Sequence, residues 1–272
     1  MDNSVEPRRQ VYFRLSSHLS QLSNEQLTRL LKNATSASEP NTALELGSDR
    51  VFAKRVPVTD LEHNNMLSTA NYYRLPNYFN FTGGGGGLGV FREIVTYIKT
   101  TNWVLAGAIG CFPLLYHWRI LPRSSAVKPL DEDDHREFVR RWNSNKRIDR
   151  FLRDKASAQY EAVLLLEHIP QALGPWLERN LPQVGRVVEQ VWHAIDFLRK
   201  NGMIHFDCHH RNILTDGEDI YLTDFGLVLD KSFDLRQIEL DFFAKHRYYS
   251  YGQPGHRLHA NVLRCSAPQQ KK

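Results

Sequence analysis

Cysteine is scarce in this chain. Cys111, Cys208 and Cys265 are the only three among 272 residues, an odd number set far apart. No disulfide framework is implied, and a reducing cytoplasm is the expected setting. Long apolar runs are missing too. The longest, 104–116, is broken by Gly107, Gly110 and Pro113 and is too short to span a bilayer, so no membrane partner is expected. Residues 1–10 are charged and lack the apolar centre of a secretion signal. Nor is there a large excess of one charge. A net charge of +5 suits an anionic ligand but does not by itself point to nucleic acid, which is not expected as a partner. The 42% hydrophobic content is that of a globular protein with room for one large domain or two small ones.

What is present concentrates in residues 205–226. Two carboxylates and one amide stand in fixed order there: Asp207, Asn212 five residues on, and Asp224. Ile213 and Leu214 precede Asp216-Gly217, and Tyr221 and Leu222 follow it, which predicts two short strands joined by a turn. Such a hairpin points three oxygen-bearing side chains into one cleft.

His205, Asp207, Asn212 and Asp224-Phe225-Gly226 match H-x-D-x-x-x-x-N followed by D-F-G. The stretch resembles the catalytic loop and metal-binding motif of the protein-kinase-like phosphotransferases. That resemblance implies an α+β, two-lobed fold with a small β-rich N-lobe, one key helix and a helical C-lobe. It implies ATP and Mg²⁺ as cofactors and a hydroxyl as phosphate acceptor. Asp207 would orient the hydroxyl, Asn212 and Asp224 would hold the metal, and His205 would brace the loop around Asp224 by a hydrogen bond.

Upstream, Ser23 and Gln26 form a capping box, with Leu27, Leu30 and Leu31 behind them, predicting a helix over 24–32. A hairpin is predicted over 44–46 and 51–58. Its Val51-Phe52-Ala53-Lys54 resembles the V-A-I-K strand of the family, whose lysine contacts the nucleotide phosphates. Read alone, Lys54 is an edge-strand lysine facing water; the motifs at 205–226 make it a functional one. A helix over 90–98 with Phe91, Ile94, Val95 and Ile98 on one face carries Glu93. No other acidic residue follows before Asp131, so Glu93 is assigned as the partner of Lys54 in cofactor binding.

Gly84, Gly86 and Gly89 formally match G-x-G-x-x-G, but they follow the lysine strand instead of preceding it. A dinucleotide-binding reading wants an acidic residue about twenty positions on, and none is there. The run is read as a flexible connection. Where the family places its glycine loop, residues 33–42 contain no glycine.

Residues 131–155 read as a charged amphipathic helical insert with Phe138, Trp142, Ile148, Phe151 and Leu152 on its apolar side. A buried strand over 162–166 leads to Glu167-His168-Ile169-Pro170. By order in the family this is the hinge, where Glu167 and Ile169 would meet the adenine. Val184, Val187, Val188, Val191, Ile195 and Leu198 repeat at helical spacing and end at Asn201-Gly202. After Gly226 a helix is predicted near 234–243, with Ile238, Phe242 and Phe243 as its apolar face. Ala267-Pro268-Gln269 matches the family's A-P-E only superficially.

The chain thus divides into an N-terminal helical extension (1–32), an N-lobe (33–169) with the insert near 131–157, and a C-lobe (170–272) that is short relative to the family. The expected activity is transfer of the ATP γ-phosphate to a hydroxyl, on a protein Ser or Thr. Two alternatives stay open. His209, two residues after Asp207 where protein Ser/Thr kinases commonly carry Lys, is similar to aminoglycoside- and choline-type kinases. The glycine-free segment fits a non-catalytic binding module.

Overall fold

The computed structural model describes residues 5–34, 41–81, 84–123 and 130–252. Over these residues the protein is an α+β molecule. The segment 35–40, Gly83, Cys265 and the Ala267-Pro268-Gln269 triplet lie outside them.

Two helices open the chain, α1 (Val5–Gln21) and α2 (Asn24–Asn33). The start of α2 is written in its cap. Gln26 N–H donates to Ser23 Oγ at 3.2 Å and Ser23 N–H to Gln26 Oε1 at 2.7 Å, satisfying two of the donors that a helix start leaves open. Apolar periodicity does not predict α1, because only Val5, Leu15 and Leu19 of its 17 residues are buried. Arginines fix it instead: Arg8 donates to Gly110 O and Phe112 O, both at 2.7 Å, and Arg9 to Leu105 O at 2.8 Å.

The predicted hairpin forms from β1 (Asn41–Leu46) and β2 (Asp49–Val58). After α3 (Asp60–His63), residues 64–89 wind into α4 (Val90–Leu105). Then come β3 (Leu115–Pro122), α5 (Glu132–Arg141), α6 (Lys146–Ala156) and β4 (Tyr160–Glu167). The four strands make one antiparallel sheet in the order β1-β2-β4-β3. Being central explains why 162–166 is a continuous buried apolar run. α4 packs against β2 and β3 and buries Phe91, Ile94 and Tyr97, each large apolar side chain contributing roughly 1.5–3 kcal/mol. Val95 and Ile98, expected on the same face, are half-buried.

The insert is two helices, not one. Asp131 Oδ1 accepts from Asp133 and Asp134 N–H, and Asn145 Oδ1 from Arg147 N–H, so each helix has its own cap. Its apolar side is not left to solvent. Ile148 and Phe151, with Phe138, Trp142 and Leu152 packed on them, close over Tyr73, Leu75, Phe79 and Leu88 as a second core.

Below the sheet lie β5 (Gln171–Ala172), α7 (Leu173–Arg179), α8 (Val184–Lys200), β6 (Met203–Ile204), β7 (Ile213–Thr215), β8 (Ile220–Leu222), β9 (Leu229–Asp230) and α9 (Gln237–His246). α8 buries Val187, Val191, Ile195 and Leu198 of the stripe its spacing predicts, leaves Val184 and Val188 half-buried, and stops at Gly202 with φ +77°. α9 departs from expectation. Phe243 is buried, but Ile238 is 61% exposed. The helix turns Glu239 inward, fully buried against Arg92, and that ion pair rotates Ile238 out. No helix among the described residues is long and apolar enough to cross a membrane.

Candidate functional site

β6 pairs with β9, and two loops leave and return between them. The first carries Asp207 and Asn212, the second Asp224-Phe225-Gly226. The β7–β8 hairpin holds the loops together, with Ile213 opposite Leu222. It turns at the predicted Asp216-Gly217, where Asp216 Oδ1 accepts from Glu218 N–H at 2.9 Å and Asp219 N–H at 2.8 Å. Thr223 N–H donates to Asn212 O at 3.0 Å, so the residue before Asp224 is tied to the backbone of Asn212.

His205 fastens the same loops from below. Asp207 N–H donates to His205 Nδ1 at 3.2 Å, which puts the ring proton on Nε2, 3.0 Å from the Thr223 carbonyl it donates to. Burial holds the imidazole pKa down to about 4, so the ring is neutral at pH 7. It is a brace, with no proton to move.

Asn212 Nδ2 donates to Asp207 Oδ2 at 2.8 Å and to Asp207 O at 3.1 Å. Both bonds use the amino end of the amide and direct its oxygen elsewhere. On the other side, His209 Nε2 stands 3.4 Å from Asp207 Oδ1.

Asp224 sits in the left-handed region, φ +62° and ψ +72°. For a residue with a side chain this costs about 1–3 kcal/mol and persists only where neighbours over-determine it. They do so here. Asp224 N–H donates to Tyr97 Oη at 3.1 Å, and that hydroxyl is 2.9 Å from Thr223 Oγ1. Phe225 is fully buried, its ring edge-on to those of Tyr97 and Phe112. The glycine run closes the turn from outside: a Cβ on Gly87 would stand 2.1 Å from Gly226 O. Only glycine lets the chain pass that close. The run read as a flexible connection is, at Gly87, a tight contact against the Asp224 turn.

The sheet and α4 supply the opposite wall. Lys54 projects from central strand β2 and meets Glu93 Oε1 at 2.6 Å and Asp224 Oδ1 at 2.7 Å. Burial alone would lower the Lys54 pKa, but the Glu93 and Asp224 carboxylates override it and raise it. Burial pushes the other way on Asp224, and the Lys54 ammonium brings its carboxyl below the usual range. All of this keeps Lys54 and Asp224 ionised at neutral pH. Glu93 is enclosed, whereas the Asp224 side chain is 45% exposed and open to a ligand.

Lys54, Glu93 and Asp224 are therefore in direct contact, and Asp207 and Asn212 are joined to Asp224 through His205 and Thr223. Glu167 and Ile169 fall elsewhere. Glu167 N–H is taken by Leu114 O at 2.8 Å. Its carboxylate is gripped by Arg8, Nε to Oε1 at 2.9 Å and Nη2 to Oε2 at 2.7 Å. Both residues line a cavity of about 760 Å³ whose walls include Arg8, Asp216 and Tyr221 but none of Lys54, Asp207, Asn212 and Asp224.

Sequence reasoning missed Tyr97 and Glu62. Tyr97 lies one helical turn after Glu93, a spacing that could have marked it. Thr59 and Glu62 form a legible capping box, but nothing local reveals that Glu62 Oε1 also accepts from Val90 N–H at 2.8 Å and so seats the start of α4.

Chemically, the cleft offers one cation shared by two carboxylates, a further carboxylate, and the amide oxygen of Asn212. Among the described residues no three His, Cys, Asp or Glu side chains gather as a metal cluster. Asn212 and Asp224 offer two hard oxygens, which suits a cation that takes its remaining ligands from water and phosphate. No protein-family model matches the chain, and no curated protein matches it significantly.

Proposed function

We propose that this protein is a phosphotransferase of the protein-kinase-like type, moving the γ-phosphoryl group of magnesium-bound ATP to a hydroxyl acceptor. In this reading the sheet and α4 are the small lobe and α7 to α9 the helical one, with the cleft between them. One observation carries it. Lys54 meets Glu93 and Asp224 together, across 39 and 170 residues of sequence, at 2.6 and 2.7 Å. Lys54 and Asp224 belong to separate motifs and Glu93 is assigned by elimination, and their meeting at one point supports the reading.

Roles follow from the geometry. Lys54, held charged and in place by Glu93, grips phosphate oxygens. The Asn212 amide oxygen and the exposed side of Asp224 hold Mg²⁺, which when bound neutralises charge developing on the phosphates. Asp207, steadied by Asn212 Nδ2, receives the acceptor's hydroxyl proton as the new bond to phosphorus forms and the bond to the bridging oxygen of ADP breaks. The acceptor read first is a protein Ser or Thr. His209, 3.4 Å from Asp207 Oδ1, favours a small aminoglycoside- or choline-like acceptor as the second reading.

The test is phosphate transfer from labelled ATP, with protein and aminoglycoside acceptors offered separately. Asp207→Ala should abolish transfer while Mg-ATP still raises the Tm, since a ligand that binds only the folded state stabilises it. Unchanged turnover in Asp207→Ala counts against the proposal. A Tm shift without transfer to any acceptor in the wild type would make the protein a nucleotide-binding module.

A further inference from the structure

The proposed nucleotide cleft has a charge deficit. Lys54 contributes one positive charge and is already shared by Glu93 and Asp224, with Asp207 close by, so the protein side of the cleft is net negative before an anionic nucleotide enters. The segment 33–42 contains no glycine, and a backbone carrying side chains approaches phosphates less closely. Mg²⁺ on Asn212 and Asp224 would offset those carboxylates, and a further cation would then meet the nucleotide's own negative charge.

The insert supplies one. Five of the six arginines on its two helices meet an oxygen: Arg136 with Asp133, Arg141 with Glu137, Arg147 with Arg74 O, Arg150 with Asp154, Arg153 with Glu132 and Asp149. Arg140 and Lys146 meet none among the described residues but are exposed. Lys155, on the last turn of α6, differs from those two in its burial. Among the described residues it has no hydrogen bond or ion pair; its ammonium lies 5.5 Å from the centre of the Phe151 ring. It is half-buried.

Its position is set by packing that leads to the site. α6 lies on β2, the strand of Lys54. A Cβ on Gly86 would touch Phe151 at 3.7 Å, and the next residue, Gly87, abuts Gly226 O in the turn after Asp224. Electrostatically, the charges that act on Lys155 are those of Glu62, Glu93, Lys54 and Asp224. Burial lowers its pKa, and the Glu62 and Glu93 carboxylates offset that only in part. An ammonium so placed, with no anion of its own, gains most from one arriving in the cleft.

We propose that Lys155 is a second phosphate-contacting cation of this site, delivered by the α5–α6 insert in place of a glycine loop. The inference rests on the ATP reading given above and adds to it the insert as part of the binding machinery. It accounts for why the insert's helical hairpin is anchored by a core of its own: a lysine that must meet a phosphate needs a rigid base.

Calorimetric titration of the full chain with Mg-ATP and, separately, with adenosine tests it. In Lys155→Met, Mg-ATP affinity should fall roughly tenfold or more, the loss of one charge-assisted contact, with adenosine affinity unchanged. Lys155→Arg should keep most of the Mg-ATP affinity. The Tm without ligand should hold or rise in Lys155→Met, because an unpaired, half-buried charge is removed. Wild-type Mg-ATP affinity in Lys155→Met overturns this inference and leaves the phosphotransferase reading standing. Equal loss for adenosine and Mg-ATP with a lowered Tm assigns Lys155 a structural role and also overturns it. Failure of the wild type to bind either ligand removes the nucleotide site itself, and Lys155's role with it.

Discussion

Arg92 and Glu93 are neighbours on α4, yet the two ion pairs they enter are built for opposite ends. Arg92 Nη2 meets Glu239 Oε1 at 2.7 Å with both side chains sealed, 2% and 0% exposed. Its Nε donates to Thr69 O at 2.8 Å and its guanidinium lies over the Phe233 ring. Glu93 meets Lys54, but that pair runs on to Asp224, whose side chain opens to solvent. The charges respond in opposite directions. Burial wins over the Glu239 carboxylate and lowers the Arg92 pKa; two carboxylates win over burial and raise that of Lys54. A sealed pair, with Glu239 Oε2 also taking Arg236 Nε at 3.2 Å, can only tie α4 to α9. An open cluster, with more carboxylates than cations, can release one of them to a ligand.

Breaking the sealed pair should have the larger effect. Arg92→Met leaves Glu239 buried without its main partner, and the expected loss is about 3–5 kcal/mol. Urea denaturation measures it. The double variant Arg92→Met/Glu239→Leu should recover most of that loss, since an apolar pair of similar volume avoids desolvating two ions. A loss below about 1 kcal/mol in the single variant would mean that the pair is not sealed in solution.

The open cluster should tolerate more. Lys54→Met leaves Glu93 and Asp224 facing each other, but Asp224 can turn to water, so the expected loss is about 1–3 kcal/mol. The same variant should lose the Tm shift that the proposed function expects from Mg-ATP. Were Lys54→Met as destabilising as Arg92→Met, the contrast between a scaffold pair and a ligand pair would collapse.

The same contrast explains what was legible. Lys54, Asp207, Asn212 and Asp224 stand out by their resemblance to family motifs, which are short and local: a strand around Lys54, an Asp-Gly turn between Asn212 and Asp224. Glu93 could be picked by elimination along one helix. Arg92 carries no such signal, because its partner is 147 positions away and no local pattern encodes that distance. For the same reason Ile238 was placed inward, although a buried Glu239 on that helix turns it out. α1 was hidden because arginine-to-carbonyl bonds hold it in place of an apolar stripe. Gly87 and the 131–155 insert depart from their sequence reading through packing. A glycine run reads as slack and a charged helix as solvated until the contact with Gly226 O and the second core are seen.

A last, smaller effect separates brace from chemistry at His205. Its folded pKa of about 4 lies below the ordinary 6.5, so the unfolded chain takes up a proton more readily than the folded one. The stability it contributes is full above pH 6.5 and is lost as pH falls from there toward 4. At pH 5 the loss amounts to about 2 kcal/mol from this one ring. Asp224 does not blur the measurement: its carboxyl is held below the usual range, so its contribution fades only at lower pH. His205→Gln cannot titrate but can still donate to Thr223 O. Urea midpoints at pH 7.5 and 5.0 should therefore fall further in the wild type than in His205→Gln. Equal falls would mean that the ring is solvated and does not lock the Asp207 and Asp224 loops together. The Asp207 and Asp224 loops would then depend on the Thr223 N–H bond to Asn212 O to stay in register.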